Sequence, residues 1–303
     1  MSTDQLILET SGNEPPPTAR VRMSRQRMLQ KLRRNWLTAA AVLMIVLMAL
    51  SALLAPWIAP YAPDATDAEA ALHAPTWRHL LGTDLFGRDQ LSRLIHAGRI
   101  DLSVAFGSTF IAVIIGSVIG AVSGYYRGWV DLVLMRFIDS VMAFPAFILA
   151  MAITAALGNS VTNVLLAIAL TQIPNYFRLS RGEVLRVSEM EYAEAARALG
   201  NPNRRIIFVH LLPNCLPPLI VQATLAMGYA LLTMAALSFI GLGIQPPQSE
   251  WGSMTAEGAR YIVTGEWWLF LFPGMAIVIM VLSFNLIGDG LRDFLDPRMR
   301  GIR

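Results

Sequence analysis

The sequence predicts an all-α, polytopic membrane protein with six transmembrane helices. Hydrophobic residues fill 55% of the 303 positions and charged residues only 15%, against about 25% charged in ordinary soluble domains. Mean hydropathy is +0.51. Several uncharged runs reach the roughly 20 residues that a helix needs to cross a hydrocarbon layer about 30 Å thick. The 15 Met and 7 Trp suit helices packed in lipid. Of 24 basic residues 23 are Arg and one is Lys, against 21 acids, for a net charge of +3. So small a surplus does not call for nucleic acid, because basic residues also fix membrane orientation. Cys215 is the single cysteine, so the chain has no intrachain disulfide and no Cys-rich metal site.

Residues 1–36 read as a tail, and the first 19, with Pro15-Pro16-Pro17 and no apolar periodicity, read as disordered. Residues 37–59 hold the first span, since Leu37 to Ala55 contains only Thr38 and Ser51 as polar residues. That stretch exceeds the core of a signal peptide and follows 36 residues, so it reads as a span and not as a cleaved leader. After a segment at 60–101, the run 102–126 has no charge and forms the second span. The uncharged block from Ser140 to Phe177 is 38 residues long. Gly158-Asn159-Ser160 breaks it with turn chemistry, giving spans near 132–157 and 161–177. Leu211 to Ser249 is uncharged too. Prolines 213, 217 and 218 mark one end and Gly241, Gly243, Pro246 and Pro247 the other, leaving a fifth span within 215–240, regular from 219. Trp267 to Gly288 supplies the sixth, and residues 289–303 form a second tail.

An even number of spans puts both termini on one side, and the Arg/Lys distribution says which. Arg20, Arg22, Arg25, Arg27, Lys31, Arg33 and Arg34 crowd the N-terminal tail. Arg178, Arg181, Arg186, Arg197, Arg204 and Arg205 lie in the fourth loop, and Arg292, Arg298, Arg300 and Arg303 at the other end. By contrast, 60–101 holds four Arg against six acids, and 241–266 holds Arg260 alone. The termini and the 178–214 loop are therefore expected in the cytoplasm, with 60–101 outside.

That loop carries the most informative string: Glu194-Ala195-Ala196-Arg197-Ala198-Leu199-Gly200, nine residues, then His210-Leu211-Leu212-Pro213. Good helix formers run from Ser188 to Leu199, and Glu194 with Arg197 makes an i,i+3 pair. Gly200 suits a helix end where positive φ is needed. Asn201-Pro202 reads as an N-cap followed by proline at the first helical position. The alanines keep the first helix slim enough to enter a groove on another protein; a solvated linker helix is the alternative.

The string resembles the EAA signature of ABC-importer permeases, with His210 where that pattern has Ile. The resemblance implies that the loop docks on a cytoplasmic ATPase through Glu194, Ala195, Ala196, Gly200, Leu212 and Pro213. A nucleotide-binding P-loop needs Gly-Lys-Ser/Thr. The sole lysine stands in Gln30-Lys31-Leu32, so this chain is not an ATPase. ATP and Mg belong on partner subunits, and no cofactor is expected here.

Further strings resemble one branch, the dipeptide/oligopeptide/nickel permeases of the C-subunit type. They are Leu81-Gly82-Thr83-Asp84-Leu85-Phe86-Gly87-Arg88-Asp89 with Ser92-Arg93, then Leu237 to Pro247 running into Glu250-Trp251-Gly252, and Phe284 to Asp293 with Asp296-Pro297. Together they cover residues 36 to 300. The resemblance implies a type I ABC-importer permease fold, with its transmembrane domain at 99–290, in a bacterial inner membrane. It also implies a second related permease, two ATPase subunits and a periplasmic substrate-binding protein as partners.

Each string also has a local reading. The 82–93 stretch can fold as an outer cap held by pairs such as Asp89 with Arg93, or contact a ligand. Trp251, Trp267 and Trp268 suit an interface with lipid headgroups, or with the binding protein. Gly116, Gly120 and Gly124 form a small-xxx-small stripe for close helix contact. Arg136 and Asp139, three apart, can pair as a candidate inner gate or as a structural pair. Pro145 and Pro273 are expected to bend their helices. The four histidines at 73, 79, 96 and 210 lack metal-ligand spacing and no nucleophile sits with a base, so an enzyme is set aside. A self-sufficient channel or secondary transporter is the competing class. For an importer the cargo order is peptides, then nickel or a metal chelate, then small solutes such as glutathione or opines.

Overall fold

A computed structural model describes residues 36–295. The expected N-terminal tail, apart from Trp36, and Arg298, Arg300, Arg303 and Asp296-Pro297 lie outside the described residues. Nine helices order the described residues: α1 Trp36–Leu53, α2 Gln90–Tyr126, α3 Gly128–Met142, α4 Ala146–Leu157, α5 Val161–Val187, α6 Glu191–Ala198, α7 Leu212–Phe239, α8 Trp251–Ala259 and α9 Trp268–Leu295. Short helical turns at Ala55–Ile58, Ala68–Ala70 and Asn203–Arg205 and a π-helical turn at Ile206–Leu211 complete the elements. Among the described residues the only β pairing is an isolated bridge between Thr83 and Asp89.

Among the described residues four helical stretches are long and apolar enough to cross a membrane: α1, α2, Asn203–Phe239 and α9. A fifth arises if α3 and α4 count as one span. The expected span 161–177 lies in α5, which carries Asn163, Thr171, Gln172, Asn175 and Arg178. Its Thr171, Gln172, Tyr176 and Ser180 are buried by protein, so this helix does not need a lipid-compatible surface all round.

Three boundaries differ from the sequence expectation. The helix of the second span starts at Gln90 and not near 102, because Asp89 caps it: its carboxylate accepts from the Ser92 N–H at 2.8 Å. The third span is not one helix, since α3 and α4 meet at 83° across Ala143-Phe144-Pro145. Proline cannot continue the first helix and pushes the residue before it out of the α region. The fifth helix starts before its prolines. The π turn Ile206–Leu211 widens the coil just ahead of Pro213, the Leu212 N–H reaching back to Ile207 O, and Pro217 and Pro218 lie inside α7. Pro273 sits inside an unbroken α9. The carbonyl that its missing N–H leaves over, Leu269 O, accepts from Gln90 Nε2 at 3.3 Å.

α2 lies along α5, and the glycine stripe sets that contact. A Cβ on Gly116 would fall 2.6 Å from Tyr176 Cβ, on Gly120 2.4 Å from Phe177 O, and on Gly124 2.8 Å from Arg181 O. Two apolar clusters result. One joins Ala97, Leu102, Ile168, Met234, Leu237, Trp251 and Met280. The other joins Ala121, Tyr176, Val184, Ala193, Ile206, Ile207, Leu211 and Cys215.

The first cluster is closed by a cap of residues 60–101, the 240–250 turn and α8. Asp84 is its centre: Oδ1 accepts from the Phe86 and Arg88 N–H groups at 2.9 Å each, and Oδ2 from Arg88 Nε at 2.6 Å and from Arg93 Nη1. The expected Asp89–Arg93 pair is therefore not formed. Arg93 turns to Asp84 and Glu257, while Asp89 caps α2 and holds His79 Nδ1 at 2.9 Å. Two of the three tryptophans are not interfacial: Trp251 and Trp268 are buried, their indoles donating to Leu94 O at 3.0 Å and Thr83 O at 3.3 Å, and only Trp267 is exposed. Glu250 caps α8, accepting from the Gly252 and Ser253 N–H groups at 2.6 and 2.7 Å. Burial pushes its carboxyl up, against the pull of those two amides.

Candidate functional site

At the opposite end of α2 and α5 the chain makes the elbow that contains Glu194. α5 stops at Val187, and a turn through Ser188–Met190 enters α6, where the Met190 carbonyl accepts from the Ala193 N–H at 2.9 Å. Positions 193 and 196 share one face of the helix. Ala193 and Ala196 are accordingly buried, Ala193 in the cluster with Ile206 and Leu211, while Glu194, Ala195 and Arg197 are exposed. Small side chains on the inner face let the helix lie close to its support.

Gly200 ends the helix with φ +72°. Its N–H donates to Arg197 O at 2.9 Å, and the Asn201 N–H donates to Ala196 O at 3.3 Å, the paired bonds of a Schellman motif. Asn201 is not the N-cap of the next helix, as its sequence context suggests. Its side-chain amide donates backwards to Ala196 O at 2.9 Å, and Pro202 takes the position before the Asn203–Arg205 turn. A carbonyl left over at a helix end was the nearer partner. Leu212 is half-buried and Pro213 exposed where α7 leaves the elbow.

The expected Glu194–Arg197 pair is also absent. Arg197 Nη2 donates to Ser188 O at 2.9 Å and its guanidinium lies 5.9 Å from the Tyr125 ring centroid. Glu194 is thereby left exposed, without a side-chain partner among the described residues.

The support beneath the elbow is the corner between α2 and α3. The Tyr125 hydroxyl donates to Asn203 Oδ1 at 2.9 Å, and Arg127 Nη2 to Glu189 Oε1 at 2.9 Å and Ser188 Oγ at 3.4 Å. Arg127 has φ 54° and ψ −161°, a region that side chains other than glycine's rarely adopt. Four residues on, Asp131 takes Arg181 in a two-pronged pair at 2.5 and 2.6 Å and accepts from Ser123 Oγ at 2.6 Å. Sequence reasoning missed Tyr125, Arg127, Asp131 and Arg181. The available signals were a Tyr-Tyr-Arg-Gly string closing an apolar run and a lone acid opening the next.

Arg136 and Asp139 do not pair with each other. Asp139 binds Arg178 of α5 at 2.7 Å with both side chains about half exposed, 45% and 48%, and Arg136 is exposed. Arg178 reaches Asp139 from α5, a contact between helices that the spacing within α3 does not reveal. Among the described residues no group of three metal-ligating side chains gathers anywhere.

Residues 104–301 match the family described as binding-protein-dependent transport system inner membrane component. Residues 25–75 match the N-terminal TM domain of oligopeptide transport permease C. The chain is 42% identical over 296 residues to a dipeptide transport system permease protein of Alkalihalophilus pseudofirmus, covering 97% of each chain. Against a probable D,D-dipeptide transport system permease protein of Escherichia coli, identity is again 42% over 296 residues, 98% of this chain and 99% of that one. A glutathione transport system permease protein of Pectobacterium atrosepticum is 38% identical over 268 residues, 88% and 89% of the two chains. A family match across two thirds of the sequence, with relatives aligned almost end to end, makes this chain a transport permease component and not an enzyme: it belongs to the inner membrane components of binding-protein-dependent transport systems.

Proposed function

We propose that this chain is one of two related permease subunits in an ATP-driven importer that moves di- and oligopeptides into a bacterial cell, with the elbow around α6 docked on one of two ATPase subunits. The observation that carries the docking is a set of exposed apolar side chains around an ordered, charged turn. Leu199 is 82% exposed and Val209 58%, with Met190, Tyr192 and Phe208 also exposed nearby in sequence. An apolar patch rimmed by polar residues marks a protein contact, and the flanking Arg178, Arg186, Arg204 and Arg205 favour the cytoplasmic side over lipid. Both termini then also lie in the cytoplasm, and the cap faces the periplasm and its substrate-binding protein.

In this reading Glu194, Ala195, Ala196, Gly200, Leu212 and Pro213 form the coupling unit. Glu194 and Ala195 meet the ATPase, Ala196 and Gly200 give the helix its seat and its stop, and Leu212-Pro213 leads into α7. The corner at Tyr125, Arg127 and Asp131 passes its displacement to α2 and α3. The span count is six, with α3 and α4 as one broken crossing and α5 as a crossing sheltered by α2 and α7. ATP and Mg are held by the ATPases, in keeping with the single lysine at position 31. Peptide cargo rests on the names of the relatives.

Purification from native membranes in mild detergent tests this reading. ATPase subunits and a second permease should accompany the chain in stable proportion. Recovery of the chain alone, still conducting solute in vesicles, would establish a self-sufficient channel or transporter instead.

A further inference from the structure

The cap encloses a pocket of about 300 Å³ whose polar wall has more donors than acceptors. Arg88 and Arg93 line it and are 5% and 1% exposed. Both lean on Asp84, but that carboxylate already accepts four hydrogen bonds, two of them from backbone amides. The other carboxylate in reach is Glu257, 3.2 Å from Arg93 Nη1 and 3.8 Å from Arg88 Nη2. Among the described residues three buried guanidinium nitrogens, Arg88 Nη2, Arg93 Nε and Arg93 Nη2, have no hydrogen-bond partner, against one unpaired acceptor in the same wall, Gln90 Oε1. With Arg260 on the rim the pocket holds three cations against two carboxylates. Buried guanidinium groups in that balance favour an added anion, and a planar carboxylate fits the fork of an arginine.

Apart from Gln90 and Tyr261 the rest of the lining is apolar or glycine, and exposed apolar side chains surround it. Phe86 lines the pocket and is 53% exposed, while Trp77 and Val263, in the cap and just beyond α8, are 96% and 94% exposed. Aromatic and apolar side chains around an arginine cavity are the make-up of a protein-docking hot spot.

We propose that this pocket receives a carboxylate side chain of the substrate-binding protein, flanked by apolar residues that cover Phe86, and that Glu257 is the placeholder the incoming carboxylate displaces. Glu257 suits that part because its side chain is 32% exposed and its contacts are the longest in the cluster. The inference rests on the importer reading above and adds the site and chemistry of docking. Docking would reach Arg93 at the first turn of α2, the same helix whose last turn bears on the elbow.

The test uses the assembled importer, with its partner permease and ATPases, in lipid nanodiscs, and measures the affinity of peptide-loaded binding protein. Arg260→Glu changes an exposed residue outside the buried network and should weaken docking about tenfold, as reversal of a rim charge does. It should also flatten the salt dependence of docking. Phe86→Ala should weaken docking, and Glu257→Gln, which removes the competing charge, should strengthen it a few-fold. If all three variants stay within twofold of the parent while the ATPases still co-purify, the pocket is a water-filled structural cavity and the proposal falls with the importer reading intact. A loss in Glu257→Gln equal to that in Arg260→Glu makes Glu257 an anchor and overturns the placeholder. Unchanged docking with a raised uptake KM would give the pocket to the peptide carboxylate and also overturn it. Failure of the ATPases to co-purify is the separate result that removes the importer reading.

Discussion

α2 begins among buried charges and ends beneath exposed ones, 37 residues or roughly 55 Å away. At the cap, Asp84, Arg88, Asp89, Arg93, Asp101 and Glu250 are all nearly sealed from solvent. At the elbow, Glu191, Glu194, Arg197, Arg204 and Arg205 are all exposed. Buried charges are kept only where partners fix them, and removing one partner leaves the other uncompensated. Exposed charges contribute little to stability and stay free to meet another molecule. The two ends therefore hold their charge differently: at the cap buried pairs fix the shape of the pocket they line, and at the elbow exposed charges stand free on the surface.

The contrast is sharpest at Asp84. Asp84→Ala strands two buried guanidiniums and should cost about 3–5 kcal/mol, read as a large drop in the apparent melting temperature of the detergent-solubilised chain. A shift of only a degree or two would mean that solvent reaches the cap and would erase the distinction. Next comes the middle of α2. Gly120→Val places a methyl-bearing carbon against Phe177 O, where even a Cβ is 2.4 Å away, and overpacking of this kind costs about 1–3 kcal/mol. The measurement is again thermal unfolding, with Gly274→Ala, a site with nothing within 4 Å, as the control.

How much of this was legible in the sequence follows from the same contrast. Gly116, Gly120 and Gly124 announce their role because helix packing is periodic and local, and the helix stop at Gly200 is readable because one backbone geometry demands it. The cap string around Asp84 and Arg93 stands out as unusual, yet spacing alone suggests Asp89 with Arg93, and Arg93 instead pairs with Asp84 and Glu257. The true partner of Arg93 depends on where α8 folds back, 164 residues along the chain from Arg93 to Glu257. Arg197 was misassigned for a like reason: Tyr125 is brought beneath it by the α2–α5 contact, which no window of sequence contains. The polar residues of α5 are plain in the sequence, but the burial that lets them sit among spans belongs to the tertiary fold.

At the elbow the expected stability effects are smaller. Gly200→Ala meets nothing within 4 Å, so its whole cost is the left-handed backbone at φ +72°. That amounts to about 1–2 kcal/mol, concentrated in the loop and visible as faster amide exchange from Ala196 to Asn201 with little change in global unfolding. Uniform exchange across α5 and α7 would instead show that the elbow is continuous with the core.

Glu194→Lys should have the smallest effect on stability and the clearest on function. The side chain is exposed and unpaired among the described residues, so its reversal should stay within about 0.5 kcal/mol of the parent. The amount of chain inserted in the membrane should be unchanged as well. Uptake should fall at least about tenfold, the scale of a reversed interfacial charge, with ATPase co-purification reduced in parallel. Arg197→Gln is the useful companion, because Arg197, though exposed, is tied back to Ser188 O and lies by the Tyr125 ring. It should loosen the seat of α6 while leaving the outward face chemically intact. A larger uptake loss in Arg197→Gln than in Glu194→Lys would mean that the seat, and not the exposed carboxylate, carries the coupling. Wild-type uptake in Glu194→Lys would reduce α6 to a linker, and the two ends of α2 would then differ in burial alone.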